Sequence, residues 1–303
     1  MPSIYRSLAG RQAIMELYDS IIARWPVKYD TFLAPTRYGE TFIIASGKST
    51  YPPLVLLHGS ASNAASWIDD IPEYCRYFQV YAVDLPGEPG KSTTNRFSLD
   101  SPAPEEWMED WMNYLKIERT ALLGISLGGW VALKFSVCRP ERVNNLILLA
   151  PGGIVPGKRS FLLRALWGYF LRLINTEISS RFNYGDQPLP LDERLFRDTV
   201  ADNFKPRFES LPIFTESEIH NLNMPIMLIA GAKDALFPSY KTAERLKTLV
   251  PQADIRILPE AGHILQHLTP LTIPFLVPGA ESQGQPNAAR LSWNREISKL
   301  LRI

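Results

Sequence analysis

Short runs of mostly apolar residues recur along the chain, and each ends close to a glycine, a proline or an aspartate. Continuous apolar runs of three or four residues are typical of strands in a parallel sheet that is buried on both faces. Such a sheet needs helices on both sides, because each of its faces must be covered. The six runs are residues 54–57, 80–83, 121–123, 146–149, 226–229 and 255–258.

Stretches with apolar residues at helical spacing separate most of these runs, which predicts a doubly wound α/β sheet. Residues 11–25 predict an amphipathic helix ahead of the first strand. Residues 31–34 and 41–45 flank a turn at residues 38–40, which predicts an antiparallel hairpin at one edge of the mostly parallel sheet. The predicted helices within the sheet region are residues 68–78, 105–115, 127–138 and 240–249.

One connection is much longer than the others. About 70 residues without a strand pattern separate Ala150 from Met224, and residues 161–171 and 191–204 within them predict two helices. We expect a helical cap, residues 151–222, inserted in a core formed by residues 1–150 and 223–303. The cap would lie at the carboxyl edge of the sheet, where open α/β sheets bind ligands.

The end of the chain departs from this alternation of strands and helices. Prolines at positions 270 and 274, followed by the polar residues 279–289, predict that the helix after the last strand is interrupted. We expect an inserted surface loop there and a final helix at residues 293–301 that packs on the core.

Composition and charge exclude several classes of protein. Hydrophobic residues make up 46% and charged residues 21%, which is ordinary globular usage and excludes a disordered chain, a collagen and a coiled coil. With 32 basic and 31 acidic residues, the chain lacks the basic excess of a nucleic-acid binder. Its two cysteines do not make a disulfide framework. No signal peptide or membrane-length apolar run is present, so we expect a cytoplasmic protein without stable membrane association.

The strongest chemical signal is Gly124-Ile125-Ser126-Leu127-Gly128, which follows a predicted strand and opens a predicted helix. A sharp strand-to-helix turn holds its serine in strained backbone geometry above the sheet. The N-terminus of the new helix then faces any negative charge that develops there. The pattern therefore predicts a nucleophilic serine at Ser126, although a glycine-rich turn without chemistry would carry the same letters.

Two further residues strengthen this interpretation. Asp234 and His263 each lie just past a predicted strand, so they project from the same edge of the sheet as Ser126. A serine is a weak nucleophile at its ordinary pKa and needs a base, which an acid in turn orients. We predict that Ser126 is the nucleophile, His263 the base and Asp234 the orienting acid, in the chain order of α/β-hydrolases.

From about residue 31 to its end, the chain resembles the α/β-hydrolase superfamily of serine hydrolases, and residues 25–47 further resemble small bacterial carboxylesterases. The resemblance implies the α/β-hydrolase fold. It also implies an oxyanion hole formed by the backbone N–H groups of Ser60 and Leu127, each worth roughly 10²–10³ in rate. The motifs that carry the resemblance are residues 57–60, 84–87, 124–129, 231–234 and 261–263.

Other polar residues receive structural interpretations. The resemblance implies that His58 and Asp84 support loops, and His220 is expected at the surface. Where the family has Gly-x-Gly, this chain has Gly-Glu-Pro-Gly at residues 87–90. His263 and His267 have the spacing of a zinc pair, but Ile264 occupies the position of the glutamate that a zincin helix needs. We therefore expect no metal and no cofactor.

The combined prediction is hydrolysis of small-molecule carboxylic esters through an acyl-enzyme. A serine at position 126 excludes the haloalkane dehalogenases and epoxide hydrolases, which use an aspartate there on this fold. A carbon–carbon bond hydrolase remains open, because residues 150–153 resemble that group. A thioesterase, lactonase or amidase that uses the same three residues also remains open, as does a ligand receptor that retains the fold.

Overall fold

A computed structural model describes residues 3–158, 191–207 and 209–280. Within these residues, eight strands form one sheet in the order β1-β2-β4-β3-β5-β6-β7-β8. The strands are β1 (Tyr29–Thr36), β2 (Gly39–Ser46), β3 (Pro53–Leu57), β4 (Gln79–Val83), β5 (Thr120–Ile125), β6 (Val143–Leu149), β7 (Ile226–Gly231) and β8 (Asp254–Leu258).

The sheet confirms the predicted mostly parallel architecture with an antiparallel hairpin at its N-terminal edge. β2 pairs antiparallel with β1 and β4, and every other pairing is parallel. The hairpin turn lies slightly earlier than predicted, at residues 37–38, because Thr36 already pairs with Gly39. Gly39 has a φ of 115°, a left-handed conformation that glycine adopts without strain.

Helices cover both faces of the sheet. Alternate strand residues point to opposite sides, and both sets are apolar and buried in strands such as β3. In β3, Leu54 and Leu56 belong to a buried cluster that includes side chains of the helices at residues 8–22 and 269–276, and Val55 and Leu57 belong to the cluster that includes those of the helices at residues 103–114 and 127–138. The described helices are α1 (Leu8–Ile22), α2 (Ile71–Tyr74), α3 (Ala103–Tyr114), α4 (Leu127–Cys138), α5 (Leu191–Asn203), α6 (Glu216–His220), α7 (Ser239–Leu249) and α8 (Thr269–Leu276).

Two helix boundaries differ from the sequence prediction. α1 begins at Leu8 rather than at residue 11, because the Ser7 side chain caps it by accepting the Gly10 N–H at 2.9 Å. The helix predicted at residues 68–78 was largely wrong, since only Ile71–Tyr74 is α-helical there. Proline is accommodated in the first turn of a helix, so α2 starts immediately before Pro72.

The prediction that Pro270 and Pro274 interrupt the helix after β8 was wrong for the prolines, because α8 contains both, but α8 does end at Leu276, before the polar residues 279–289. Pro270 lies in the first turn, where its missing N–H has no helical partner to lose. Pro274 removes one helical hydrogen bond, but the side chains of Ile273 and Leu276 are buried in the core. Burial of this apolar surface offsets the missing bond. The helices predicted at residues 161–171 and 293–301 lie outside the described residues, as does most of the predicted polar loop.

The predicted division into core and cap stays a prediction, and the described part of the cap range contacts the N-terminal segment. Arg6 N–H donates to Asn203 O and Lys205 N–H donates to Ile4 O, both at 2.8 Å. α1 packs on α5, with Gly10 directly against the side chain of Asn203. No helix among the described residues is long and apolar enough to cross a membrane.

Candidate active site

Ser126 occupies a strained turn between the end of β5 and the start of α4. Its φ of 53° and ψ of −107° lie in a region that side-chain-bearing residues rarely adopt. The turn is closed by backbone packing, since a Cβ at Gly124 would lie only 2.4 Å from Gly128 O. The Ser126 N–H donates to Leu149 O at 2.9 Å, which ties the turn to β6. The local sequence thus fixes a half-buried serine at the carboxyl edge of the sheet.

The structure brings Ser126, His263 and Asp234 into one hydrogen-bonded row. His263, in the loop after β8, donates its Nδ1–H to Asp234 Oδ2 at 2.8 Å. Its Nε2 lies 3.0 Å from Ser126 Oγ. With the ring proton on Nδ1, Nε2 accepts a hydrogen bond from the Ser126 hydroxyl. His263 and Asp234 are buried, with exposed fractions of 7% and 1%. The row therefore joins a half-buried hydroxyl to a buried acid through one imidazole ring.

Asp234 is held from both sides of its carboxylate. Oδ2 faces His263, and Oδ1 accepts the backbone N–H groups of Leu236 at 2.7 Å and Phe237 at 3.0 Å. Burial alone would raise the pKa of Asp234, but the charge and hydrogen bond of His263 and these two N–H groups outweigh it and lower the pKa. The Phe237 ring lies 5.5 Å from the imidazole, centroid to centroid. Asp234 is therefore an oriented, ionised partner for His263.

The loop that follows β3 lies against the Ser126 turn. A Cβ at Gly59 would lie 3.6 Å from Ser126 Cβ, and a Cβ at Gly128 would lie 2.3 Å from Leu57 O. Leu127 is the first residue of α4, so its N–H has no partner within the helix. The structure thus brings the segment that contains Ser60 beside Ser126 and Leu127. The role of the Ser60 and Leu127 amides as oxyanion donors stays a prediction.

His58 is fully buried and bonded to its own loop and to the next one. Its Nε2 accepts the Leu85 N–H at 2.9 Å, and its Nδ1–H donates to Gly59 O at 2.8 Å. Burial lowers the pKa of His58 to about 4, against the hydrogen bond to Gly59, so the ring is neutral near pH 7. These contacts agree with the loop-supporting interpretation of His58.

Asp84 is also a loop support in this geometry. Its carboxylate accepts the backbone N–H groups of Ala64 and Lys91, both at 2.7 Å, and the Tyr18 hydroxyl at 2.9 Å. Burial raises the pKa of Asp84 to about 6, although these donors and the Lys91 charge pull it down. The acid that faces His263 is Asp234, and Asp84 instead joins three separate segments of the chain.

The remaining titratable candidates lie apart from the row. His220 is exposed at the end of α6. Residues 262–268 are not helical, so His263 and His267 do not share a helix face. Among the described residues, no group of three or more histidine, cysteine, aspartate or glutamate side chains could hold a metal ion. Cys75 and Cys138 are half-buried free thiols.

Sequence reasoning missed three residues that contact the site or its loops. The Lys158 ammonium donates to Asp234 O, and the Phe237 ring lies beside the imidazole. Glu88 is 1% exposed and accepts the Ala61 N–H at 2.7 Å, next to Ser60. Only Glu88 had a signal in the sequence, which was the departure from Gly-x-Gly at residues 87–90.

Comparison with known proteins gives consistent matches. The sequence profile described as "Alpha/beta hydrolase family" matches residues 54–272. Carboxylesterase YbfK of Bacillus subtilis is 30% identical over 264 residues, covering 82% of this chain and 87% of the relative. A second B. subtilis relative, named "Uncharacterized carboxylesterase nap", is 29% identical over 257 residues, covering 82% and 86%. The crystal structure of carboxylesterase CesB (YbfK) superimposes with a TM-score of 0.77 at 28% identity, covering 90% of this chain and 100% of that one.

Proposed function

Because the chain belongs to the alpha/beta hydrolase family, we propose that it is a serine esterase that cleaves carboxylic esters of small molecules. The observation that carries the proposal is the hydrogen-bonded row of Ser126, His263 and Asp234. Relatives named carboxylesterases, similar over more than four-fifths of this chain, support the choice of an ester as substrate.

In the first half of the reaction, Ser126 Oγ attacks the ester carbonyl carbon while its proton passes to His263 Nε2. The 3.0 Å separation of Oγ and Nε2 is within reach of direct proton transfer. Asp234 stabilises the imidazolium that forms and keeps the ring in the tautomer whose Nε2 is free to accept the proton. Collapse of the tetrahedral intermediate breaks the bond to the alkoxy oxygen, which takes the proton from Nε2 and leaves as the alcohol.

In the second half, water repeats the attack on the acyl-enzyme. The water oxygen bonds to the acyl carbon while His263 accepts one proton of the water. The second tetrahedral intermediate then collapses, Ser126 Oγ recovers its proton from His263, and the carboxylic acid leaves. All protons in these steps move between Ser126, His263, substrate and water, so the cycle closes without a cofactor or metal ion.

Negative charge develops on the carbonyl oxygen in both halves and requires donors that are already in place. We assign this role to the backbone N–H groups of Ser60 and Leu127. The close packing of residues 57–59 on Ser126 and Gly128 supports the assignment, because it brings the two segments to one side of the nucleophile. The α4 N-terminus adds a favourable dipole at the same place.

A carbon–carbon bond hydrolase receives no support from the motif at residues 150–153, because packing accounts for its glycines. Gly153 has a φ of 86°, and a Cβ there would lie 2.4 Å from the Trp130 ring. A Cβ at Gly152 would lie 2.2 Å from Leu211 Cδ1. These glycines therefore follow from close contacts, whatever bond the enzyme cleaves.

The test compares substrates with a four-carbon acyl chain: ethyl butyrate, which is the open-chain oxygen ester, S-ethyl thiobutyrate, γ-butyrolactone and butyranilide. We expect turnover of the oxygen ester with a kcat/KM at least about tenfold above the other three, because substrate preference reflects transition-state binding. Acid release is followed by pH-stat titration. A preference for another member would reassign the reaction, and tight binding without turnover of any of them would favour a receptor.

A further inference from the structure

Glu88 lies in the loop after β4 and reaches the loop that carries the proposed oxyanion donor. Its Oε2 accepts the Ala61 N–H at 2.7 Å and the Ser60 hydroxyl at 3.5 Å. Ala61 has a φ of 56°, a left-handed conformation that a non-glycine residue adopts only when its surroundings impose it. The bond from Glu88 fixes the peptide group between Ser60 and Ala61 at this strained point.

On its other side, the Glu88 carboxylate faces arginine charges. Arg207 Nε lies 3.6 Å from Glu88 Oε1, and the Arg207 side chain is only 7% exposed. Arg207 is itself held, since it donates to Phe97 O at 3.2 Å. Arg96, which donates to Gly87 O at 3.1 Å, contributes a second positive charge. The carboxylate therefore accepts the Ala61 N–H through Oε2, while Oε1 faces the Arg207 charge at 3.6 Å without a hydrogen bond.

Burying the Glu88 carboxylate costs free energy that a residue with a space-filling role alone would not need to lose. A buried carboxylate loses its hydration, and that loss raises the pKa of Glu88 to about 7 against the Ala61 N–H and the charges of Arg207 and Arg96. An apolar side chain would fill the same volume without that cost. An ionisable residue at this position, where the resembled family has Gly-x-Gly, is explained by the bond that its Oε2 accepts from the Ala61 N–H.

We propose that Glu88 is a positioning residue: by holding the Ala61 N–H, it fixes the backbone on the C-terminal side of Ser60 and thereby keeps the Ser60 N–H, in the preceding peptide, pointed at the oxyanion formed on substrate. The inference rests on the proposed ester hydrolysis at Ser126. An oxyanion donor must lie within about 2.7–3.1 Å of the oxygen as charge develops, so a small change in the backbone at Ser60 that turns its N–H away removes most of its effect. Glu88 acts through Ser60 and does not touch the reacting atoms.

The test replaces Glu88 by aspartate, which keeps a carboxyl group near the arginines but withdraws its oxygens from Ala61. We expect kcat to fall about 10- to 100-fold with KM within about threefold, because the lost stabilisation belongs to the transition state. The affinity for an alkyl trifluoromethyl ketone, which forms a tetrahedral oxyanion on the serine, should fall by the same factor. Active sites are counted by fluorophosphonate labelling, so that loss of folded protein does not count as loss of rate.

Glu209→Asp is the matched control, because Glu209 is a half-exposed carboxylate that pairs with the same Arg207. We expect its kcat and ketone affinity to equal those of the wild type. A Glu88→Asp enzyme with kcat within about twofold of wild type, or with a loss in KM alone, overturns the inference. Should Glu88→Asp fail to fold, Glu88→Met, which removes the acceptor for the Ala61 N–H at nearly the same side-chain volume, is judged by the same criteria. A wild-type protein that neither hydrolyses esters nor labels at Ser126 would defeat the proposed function itself.

Discussion

Ser126→Ala should lower kcat/KM for an ester about 10⁵- to 10⁶-fold. Without Oγ, no acyl-enzyme forms, and only substrate binding and the proposed oxyanion donors remain. The measurement is initial-rate kinetics on p-nitrophenyl butyrate. Ser20→Ala makes the same substitution on the exposed face of α1, so it should keep the wild-type rate.

His263→Ala should cost nearly as much as Ser126→Ala, and the double variant should be scarcely worse than either. Such strong non-additivity is expected when two groups act in one step, and the 3.0 Å contact between Nε2 and Oγ makes that step a direct proton transfer. A Ser126→Ala variant that keeps more than about 1% of the wild-type rate would contradict the nucleophile assignment. A double variant far below both single ones would show that the residues act separately.

Asp234→Asn should lower kcat about 10³- to 10⁴-fold while the protein keeps its fold. The Leu236 and Phe237 N–H groups hold the oxygen at the Oδ1 position, so the new amide nitrogen must face His263 Nδ1. An N–H donor there makes Nδ1 the acceptor and moves the ring proton to Nε2, where it faces Ser126. The imidazole can then no longer accept the serine proton.

The matched control is Asp254→Asn, the same substitution at the start of β8, where Asp254 pairs with Arg256. Its kcat should stay within about twofold of wild type. Normal kcat in Asp234→Asn would mean that another acid orients His263, and Asp84 would be the next residue to test.

The lowered pKa of Asp234 also predicts how the stability of the fold depends on pH. A carboxyl group whose pKa is lower in the folded than in the unfolded protein stabilises the fold above its unfolded value, here 3.8. That contribution is lost as the pH falls through the folded pKa. The difference in free energy of unfolding between the wild type and Asp234→Asn should therefore shift against the wild type as the pH falls below about 4. Urea unfolding at several pH values measures this difference.

The arrangement of Ser126, Asp234 and His263 could be predicted because it follows from sheet topology. The three residues lie far apart in sequence, but each follows a parallel strand, and the carboxyl ends of parallel strands meet at one edge. The continuous apolar runs identified those strands, and β5, β7 and β8 place the three side chains within hydrogen-bond distance.

Features that depend on contacts between loops could not be predicted from local patterns. Nothing in residues 87–90 indicates that Glu88 meets Ala61 on one side and Arg207 on the other, since these partners lie 27 and 119 positions away. The continuation of α8 through Pro274 was not predicted, for a related reason. Tertiary burial of Ile273 outweighs the local cost of Pro274, and helix propensity alone counts only that cost.

The central claim is that Ser126 is an activated nucleophile, and covalent labelling tests it most directly. Folded protein is treated with an alkyl fluorophosphonate, and the product is analysed by intact mass and peptide mapping. The account predicts one phosphonyl group per chain, located on Ser126, with labelling abolished in Ser126→Ala and strongly slowed in His263→Ala. Folded wild-type protein that takes up no label, or carries it on another residue, would contradict the account.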